Sequence, residues 1–377
     1  MFNSNLTALV THFPWSVMFL AWAVSAAAVF LLIPIARYTG WVDKPGSRKA
    51  HEGEVPLVGG TALLLSLLML QLLGSTPVPA PAGYWVGALL LFVVALVDDR
   101  HPIRARYRFM VQVAAAVAGI SMGGTVLPDI GNLFGTGVLS AWWLVGPVSV
   151  LGIVAVVNAF NFSDGADGLC GGLGFIGFLW FMVAVTMAGS AALVAGEPAL
   201  PHAPSLVPLA AALIGGLAGF LLFNLRTPMR SRAVVFLGDS GSMLVGFTLA
   251  WFAVHASSAY GAASVSPVAC LWIMAVPLAD SVSCFVRRIL AGETPMRADL
   301  KHLHHLLMRS GMSVAAAVAT IHAGAFACGA IGVGGWLLGV PEQVMFGGFV
   351  ATLLAFVAVT LRAWRSIEGA AGLAPSV

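Results

Sequence analysis

Charge is scarce in this sequence. Asp, Glu, Lys and Arg make up 9% of its 377 residues, where about 25% is usual in a soluble domain. With 59% hydrophobic residues, the chain is excluded from the soluble class and reads as an integral membrane protein. No polar stretch is long enough to fold separately, so residues 1–377 read as a single membrane-embedded domain. Cysteine is also sparse: Cys170, Cys270, Cys284 and Cys328 lie in or beside apolar runs without CxxC spacing. That supports neither a disulfide framework nor a zinc site, and leaves the thiols as small apolar packers. The first apolar run, Trp15 to Ile35, lacks a basic n-region and a small-residue cleavage site, so it reads as a retained first helix. There is no repeat of fixed period, and no low-complexity tract before the Ala/Gly-rich tail after Glu368. Glycine is plentiful: 43 residues spread through the spans, as close helix packing in lipid requires.

What is present is a series of apolar runs. Taking about 20 residues as one crossing, they fall at 15–37, 57–75, 83–97, 109–127, 142–158, 169–194, 206–223, 235–256, 265–286, 314–338 and 343–362. The expected fold is all-α and polytopic, with about eleven transmembrane helices. Positive residues are retained on the cytoplasmic side of a membrane. With the N-terminus outside and the C-terminus cytoplasmic, all 18 Lys and Arg fall on cytoplasmic loops or the tail. A miscounted central helix would scatter them. The outer loops, such as Ser75 to Gly83 and Glu197 to Ser205, are short, Pro-rich and nearly uncharged. Trp15, Trp41, Trp85, Trp142, Trp143, Trp336 and Trp364 stand near run ends, where interfacial Trp is expected.

Function is therefore expected in the cytoplasmic loops 38–56, 98–108, 158–169, 224–240 and 287–313. The central one reads NAFNFSDGADGL, from Asn158 to Leu169, and sets two carboxylates and carboxamides where membrane helices meet water. Asp164 and Asp167 have the spacing to share a helix face, and Gly165 and Gly168 leave backbone open to a ligand. Alone, the stretch is equally a solvated connector with an N-cap at Ser163 or Asp164.

The other loops change that balance. Asp43 to Gly60 reads DKPGSRKAHEGEVPLVGG, where Lys44, Arg48, Lys49 and His51 are donors for an anion or a positive anchor on lipid headgroups. Asp98 and Asp99 end a span and precede Arg104, Arg106 and Arg108. Adjacent carboxylates at a membrane boundary are costly unless a cation balances them, and Mg²⁺ is usually held by one or two carboxylates plus phosphate oxygens. A surface salt-bridge cluster is the plainer alternative. Asp239, in FLGDSGS, suits either an N-cap or the close approach of a metal-bound phosphate. In ADLKHLHHLLMRSG, a helix would present His302 and His305 on one side, with His304 adjacent. No thiolate accompanies them in sequence, and hard oxygen ligands elsewhere favour Mg²⁺ or Mn²⁺ over zinc. Phosphate binding or proton transfer is the expected role of these histidines. Asp280, inside the ninth run, is a site candidate or half of a buried pair.

Together these loops describe a metal-assisted phosphoryl-transfer site serving one soluble anionic substrate and one membrane-resident phosphate. The chain resembles the polyprenyl-phosphate N-acetylhexosamine-1-phosphate transferases. The motifs that carry the resemblance are DKPGSRKAHEGEVPLVGG, Asp98–Asp99, NAFNFSDGADGL, FLGDSGS, PLAD at Pro277 to Asp280, and HLHH at His302 to His305. They occur in the family's order across most of the chain. HLHH is similar to the GlcNAc branch rather than to the relative that transfers phospho-MurNAc-pentapeptide. The resemblance implies transfer of GlcNAc-1-phosphate from UDP-GlcNAc to undecaprenyl phosphate, with Mg²⁺ or Mn²⁺, at the cytoplasmic face of a bacterial inner membrane. The product is a lipid-linked diphosphosugar that starts a surface glycan. The implied partners are UDP-GlcNAc, undecaprenyl phosphate and membrane lipids, with no nucleic acid; a homodimer is left open.

Residue by residue, the resemblance makes Asp239 a metal ligand with Asn161 a second, and gives catalysis to Asp98 and Asp99, either of which is open to the metal. It places Asp164 and Asp167 at the nucleotide and His302, His304 and His305 at the sugar and diphosphate, with His305 catalytic. Asn158 and Asp280 enter as substrate-binding positions of their motifs, and Lys44, Arg48 and Arg104 as basic donors. Arg108 is expected to hold the lipid phosphate, from its basic character and its distance from the acidic pair. The family often has a third Asp three residues beyond the second; here Pro102 stands there, which leaves the helix entry after Asp99 open. Direct attack by the lipid phosphate competes with an aspartyl-phosphate route. The rival readings are another UDP-HexNAc donor, or a carrier of nucleotide-sugar or lipid phosphate. A carrier would place polar groups near the midplane within inverted repeats.

Overall fold

A computed structural model of the chain describes residues 14–44, 53–73, 81–122, 126–140, 142–196, 203–294 and 301–370. Arg48, Lys49 and His51 lie outside the described residues. Helix α1 (Trp15–Thr39) leads into a short antiparallel ribbon of β1 (Val42–Asp43) and β2 (Val55–Pro56), in which Val42 pairs with Pro56. There follow α2 (Gly59–Leu73), α3 (Ala82–Asp98), α4 (Ala105–Ser121), α5 (Trp142–Phe162), α6 (Leu169–Ala195) and α7 (Ala203–Asn224). Beyond them come α8 (Gly238–Ala256), α9 (Pro267–Ile273), α10 (Ala275–Leu290), α11 (Leu303–Arg309), α12 (Val314–Leu337) and α13 (Glu342–Ala370).

Each apolar run coincides with helix among the described residues. Among the described residues, six helices are long and apolar enough to cross a membrane by themselves, and a helical pair, Gly261–Ile273 with Ala275–Leu290, bent by 48°, makes a seventh if the two form one span. Helices α2 and α3 are apolar but shorter. The ninth run, expected as one span, is thus divided at Met274.

Helix α8 is the axis of the bundle. It packs against α2, α3, α5 and α6, and all of its residues except Asp239 and Ala253 are buried. A helix surrounded by protein needs no lipid-facing apolar surface, so it can carry Ser240, Ser242, Thr248 and His255 inside the fold. The Tyr84 hydroxyl of α3 and the Thr248 hydroxyl of α8 lie 3.2 Å apart in one buried hydrogen bond. In hydrocarbon such pairs satisfy groups that water cannot reach.

Small residues bring α7 onto α1. A Cβ on Gly215 would stand 2.0 Å from the Met18 carbonyl oxygen, and one on Gly219 2.5 Å from that of Trp22. The i, i+4 glycine pair therefore permits backbone-to-backbone contact, the usual route to tight helix association in lipid. Between α4 and α5, Asn158 Nδ2 donates to Gln112 Oε1 at 2.7 Å and to Val154 O at 2.8 Å.

Candidate active site

The connections after α3, α5 and α7 meet α11 at one end of the bundle. They line a cavity of about 650 Å³ that includes Asp98, Asp99, Asp164, Asp167, Asp239 and His305. Its foundation is the start of α8. Phe236 N donates to Pro56 O, while Gly59 N and Gly60 N donate to Phe236 O and Leu237 O, which ties the N-terminal end of α2 to the turn before α8. Gly238 has φ +76°, and a Cβ there would lie 2.9 Å from Asp99 Oδ2. The position needs glycine on both counts. The turn it makes aims the amides of Asp239 and Ser240 at Asp99, at 2.8 and 3.3 Å.

Asp99 therefore caps α8 through its side chain, although it lies far away in sequence. Burial raises its pKa above the ordinary carboxylate value, while the amide hydrogen bonds oppose that shift. Asp98 is occupied differently. Its Oδ1 accepts from Ile103 N at 2.6 Å, and its Oδ2 accepts from Arg108 Nη1 at 2.6 Å. The same Arg108 nitrogen stands 3.5 Å from Asp239 Oδ2, so one guanidinium joins the two acids. Asn161 Nδ2 donates to Asp239 Oδ1 at 2.8 Å and to Ser242 Oγ at 3.1 Å. Its amide oxygen is the atom suited to a cation. Asp164 is half-buried beside these groups; burial, then the charges of Asp239 and Asp99, push its pKa well above the ordinary value. The clustered carboxylates form a hard-oxygen set whose mutual repulsion a divalent cation would relieve.

Asp167 faces the loop before α8. Its Oδ2 accepts from Arg226 Nε at 2.7 Å and from Ala233 N at 3.1 Å. Asn224 reinforces this clip by accepting from Gly168 N and donating to Val235 O, both at 2.8 Å.

The histidines separate into distinct environments. His302 Nδ1 donates to Asp280 Oδ2 at 3.0 Å, and Asp280 Oδ1 accepts from Leu303 N at 2.8 Å, which ties the entry of α11 to α10. Burial lowers the His302 pKa, but the Asp280 and Cys284 contacts outweigh it and raise it to about 10. Cys284 Sγ lies 3.4 Å from His302 Nδ1. The chain does bring a thiol to the histidine cluster, contrary to the expectation from spacing, because α10 and the start of α11 are adjacent in space. Asp280, Cys284 and His302 are close enough to share an ion, and their facing atoms already hydrogen-bond to one another or to Leu303 N and Lys301 O. His304 is buried against Gly165 and its ring lies tilted by 44° against that of His305, with centroids 4.0 Å apart. Burial, then His305 and His302, lower its pKa to about 2, so it is a neutral ring. His305 is the histidine of the motif that lines the cavity.

Several expected positions lie elsewhere. Asn158 is engaged with Gln112 inside the bundle. Lys44 pairs with Glu54 at 3.4 Å on the surface, and exposed Arg104 precedes α4; neither lines the cavity. Pro102, at the departure from the family pattern, does line it. Arg100, Arg226 and Arg309 also line the cavity, although sequence reasoning read them only as topological charges.

The model of glycosyl transferase family 4 matches residues 81–257. The chain is 36% identical over 352 residues to the undecaprenyl-phosphate alpha-N-acetylglucosaminyl 1-phosphate transferase of Pasteurella multocida, covering 92% of this chain and 95% of that protein. It is 33% identical to the Haemophilus influenzae protein of the same name, covering 89% and 91% of the two chains. With the Yersinia pestis protein of that name it shares 34% identity, covering 96% and 94%.

Proposed function

The chain belongs to glycosyl transferase family 4, and from that premise we propose that it transfers GlcNAc-1-phosphate from UDP-GlcNAc to undecaprenyl phosphate. The products are undecaprenyl-diphospho-GlcNAc and UMP, and the reaction is the first membrane step of a bacterial surface glycan. The observation that carries this reading is the gathering of Asp98, Asp99, Asp164 and Asp239 with His305 and three arginines around one cavity. That cavity is supplied by connections far apart in sequence.

Asp98, Asp239 and Asn161, with Asp99 or Asp164 adjacent, fit Mg²⁺ or Mn²⁺ because their oxygens are hard donors. When bound, such an ion neutralises charge on the diphosphate and the departing UMP. In the proposed reaction, an oxygen of undecaprenyl phosphate attacks the phosphorus that bears the sugar. The bond from that phosphorus to the bridging oxygen breaks, and the oxygen leaves with UMP. Arg108 orients the attacking lipid phosphate from its place between Asp98 and Asp239. Direct attack needs one displacement where an aspartyl-phosphate on Asp98 or Asp99 needs two, and return of isotope from UMP into UDP-GlcNAc with no lipid present would reveal the covalent route. His305 reaches the reacting region, while His302, His304 and Asp280 hold it there.

The loop charges support an eleven-crossing arrangement with the N-terminus outside, in which this cavity would open at the cytoplasmic face of the bacterial inner membrane. Purified protein given labelled UDP-GlcNAc, undecaprenyl phosphate and Mg²⁺ should move label into the organic phase. Movement of intact UDP-GlcNAc across vesicles without lipid product would identify a carrier instead. A panel of UDP-HexNAc donors fixes the sugar.

A further inference from the structure

One guanidinium in the cavity is oriented by the protein itself. Arg226 begins the connection after α7, lines the cavity, and has a side chain 33% exposed. Its Nε is held by Asp167, whose side chain is 11% exposed. Its Nη1 and Nη2 groups make no hydrogen bond or ion pair among the described residues. A guanidinium gripped at Nε keeps its terminal fork, the geometry that matches phosphate oxygens, and loses less freedom when it binds them.

The neighbouring cations are disposed otherwise. Arg230 turns back to donate to the Leu225 carbonyl and does not line the cavity. Arg100 and Arg309 line it, but their guanidinium groups lie over the rings of Trp41 and Trp364. Among so many carboxylates, an entering diphosphate needs a fixed positive partner, and Arg226 is placed to be one.

We infer that Arg226 is a substrate-binding residue that grips phosphate oxygens of the nucleotide donor, and that Asp167 is a positioning residue acting through it. The inference rests on the transferase reading and deepens it. It moves Asp167 from direct contact with the nucleotide to control of the residue that makes the contact. Asp167 has the bonds this requires: one carboxylate oxygen serves both the guanidinium and the Ala233 amide, and Asn224 fixes the same two loops.

The test uses the full-length enzyme with Mg²⁺, UMP as the direct binding probe, and steady-state kinetics in both substrates. Arg226→Ala should weaken UMP binding and raise the KM for UDP-GlcNAc by roughly 10- to 100-fold, with the KM for undecaprenyl phosphate unchanged. Arg226→Lys should recover part of both losses, and Asp167→Asn should shift the same two constants less. UMP binding by Arg226→Ala at the wild-type level, or an equal rise in both KM values, would overturn the inference. If Arg226→Ala does not fold, Arg226→Gln is read by the same UMP measurement against the same criteria. A wild-type protein that binds UMP but makes no lipid product from UDP-GlcNAc would remove the transferase reading, and the UMP comparison would still decide the role of Arg226.

Discussion

Asp99 caps the helix that carries Asp239: its two carboxylate oxygens accept the Asp239 and Ser240 amides at 2.8 and 3.3 Å. One member of the acidic pair thus sets where another acid stands. Asp99→Asn keeps the shape but turns an amide donor toward one of those N–H groups. Lower thermal stability, by about 1 kcal/mol or more, and a higher Mg²⁺ requirement should appear together. A fall in turnover at unchanged Tm and Mg²⁺ requirement would instead give Asp99 a direct part in the chemistry.

Asp239 is joined to Asn161 and Arg108 at the cavity wall. Asp239→Ala should lower turnover by about 100-fold or more while the protein elutes and melts as a folded species. Near-normal turnover would take Asp239 out of the metal site.

Arg108 bridges two acids, so its removal should be felt by the substrate that it orients. Arg108→Ala is expected to raise the KM for undecaprenyl phosphate roughly 10-fold and the KM for UDP-GlcNAc much less. The reverse pattern would assign Arg108 to the donor.

The His302–Asp280 pair gives a pH dependence of known sign. The pKa of His302 is raised from 6.5 to about 10, so its contribution to stability is complete below about 6.5 and is lost as pH rises through 10. Tm measured from pH 7 to 10.5 should fall more steeply for the wild type than for His302→Gln. Parallel curves would mean that the pair is not charged. His305→Ala should cost about 100-fold in turnover with little change in that profile, because His305 faces the cavity rather than Asp280.

Much of this site was legible because its chemistry is written in rare residues. In a chain with so few charges, Asp98, Asp99, Asp164 and Asp239 stand out, and loop arithmetic sends them toward one end of the bundle. The cavity does contain them. What could not be read was which neighbour each acid satisfies. The Asp99 cap on α8, the Asp167 clip on Arg226 and the thiol beside His302 all depend on how separate helices meet. Spacing along one strand of text carries no such information. Arg226 left one faint signal, its place two residues beyond Asn224 where α7 ends. Asn158 shares a motif with Asn161 and Asp164 but lies deeper in α5 and bonds to Gln112, a placement the motif alone does not reveal.

That amide pair also works as a stop. Were α4 to slide one turn along α5, Gln112 would lose its amide partner inside the bundle and Asn158 would keep only its bond to Val154 O, at a cost of about 1–3 kcal/mol for the buried group left unpaired. The pair therefore favours one alignment of the two helices. Asn161, about one turn beyond Asn158 on α5, is thereby held in register with Arg108, about one turn before Gln112 on α4.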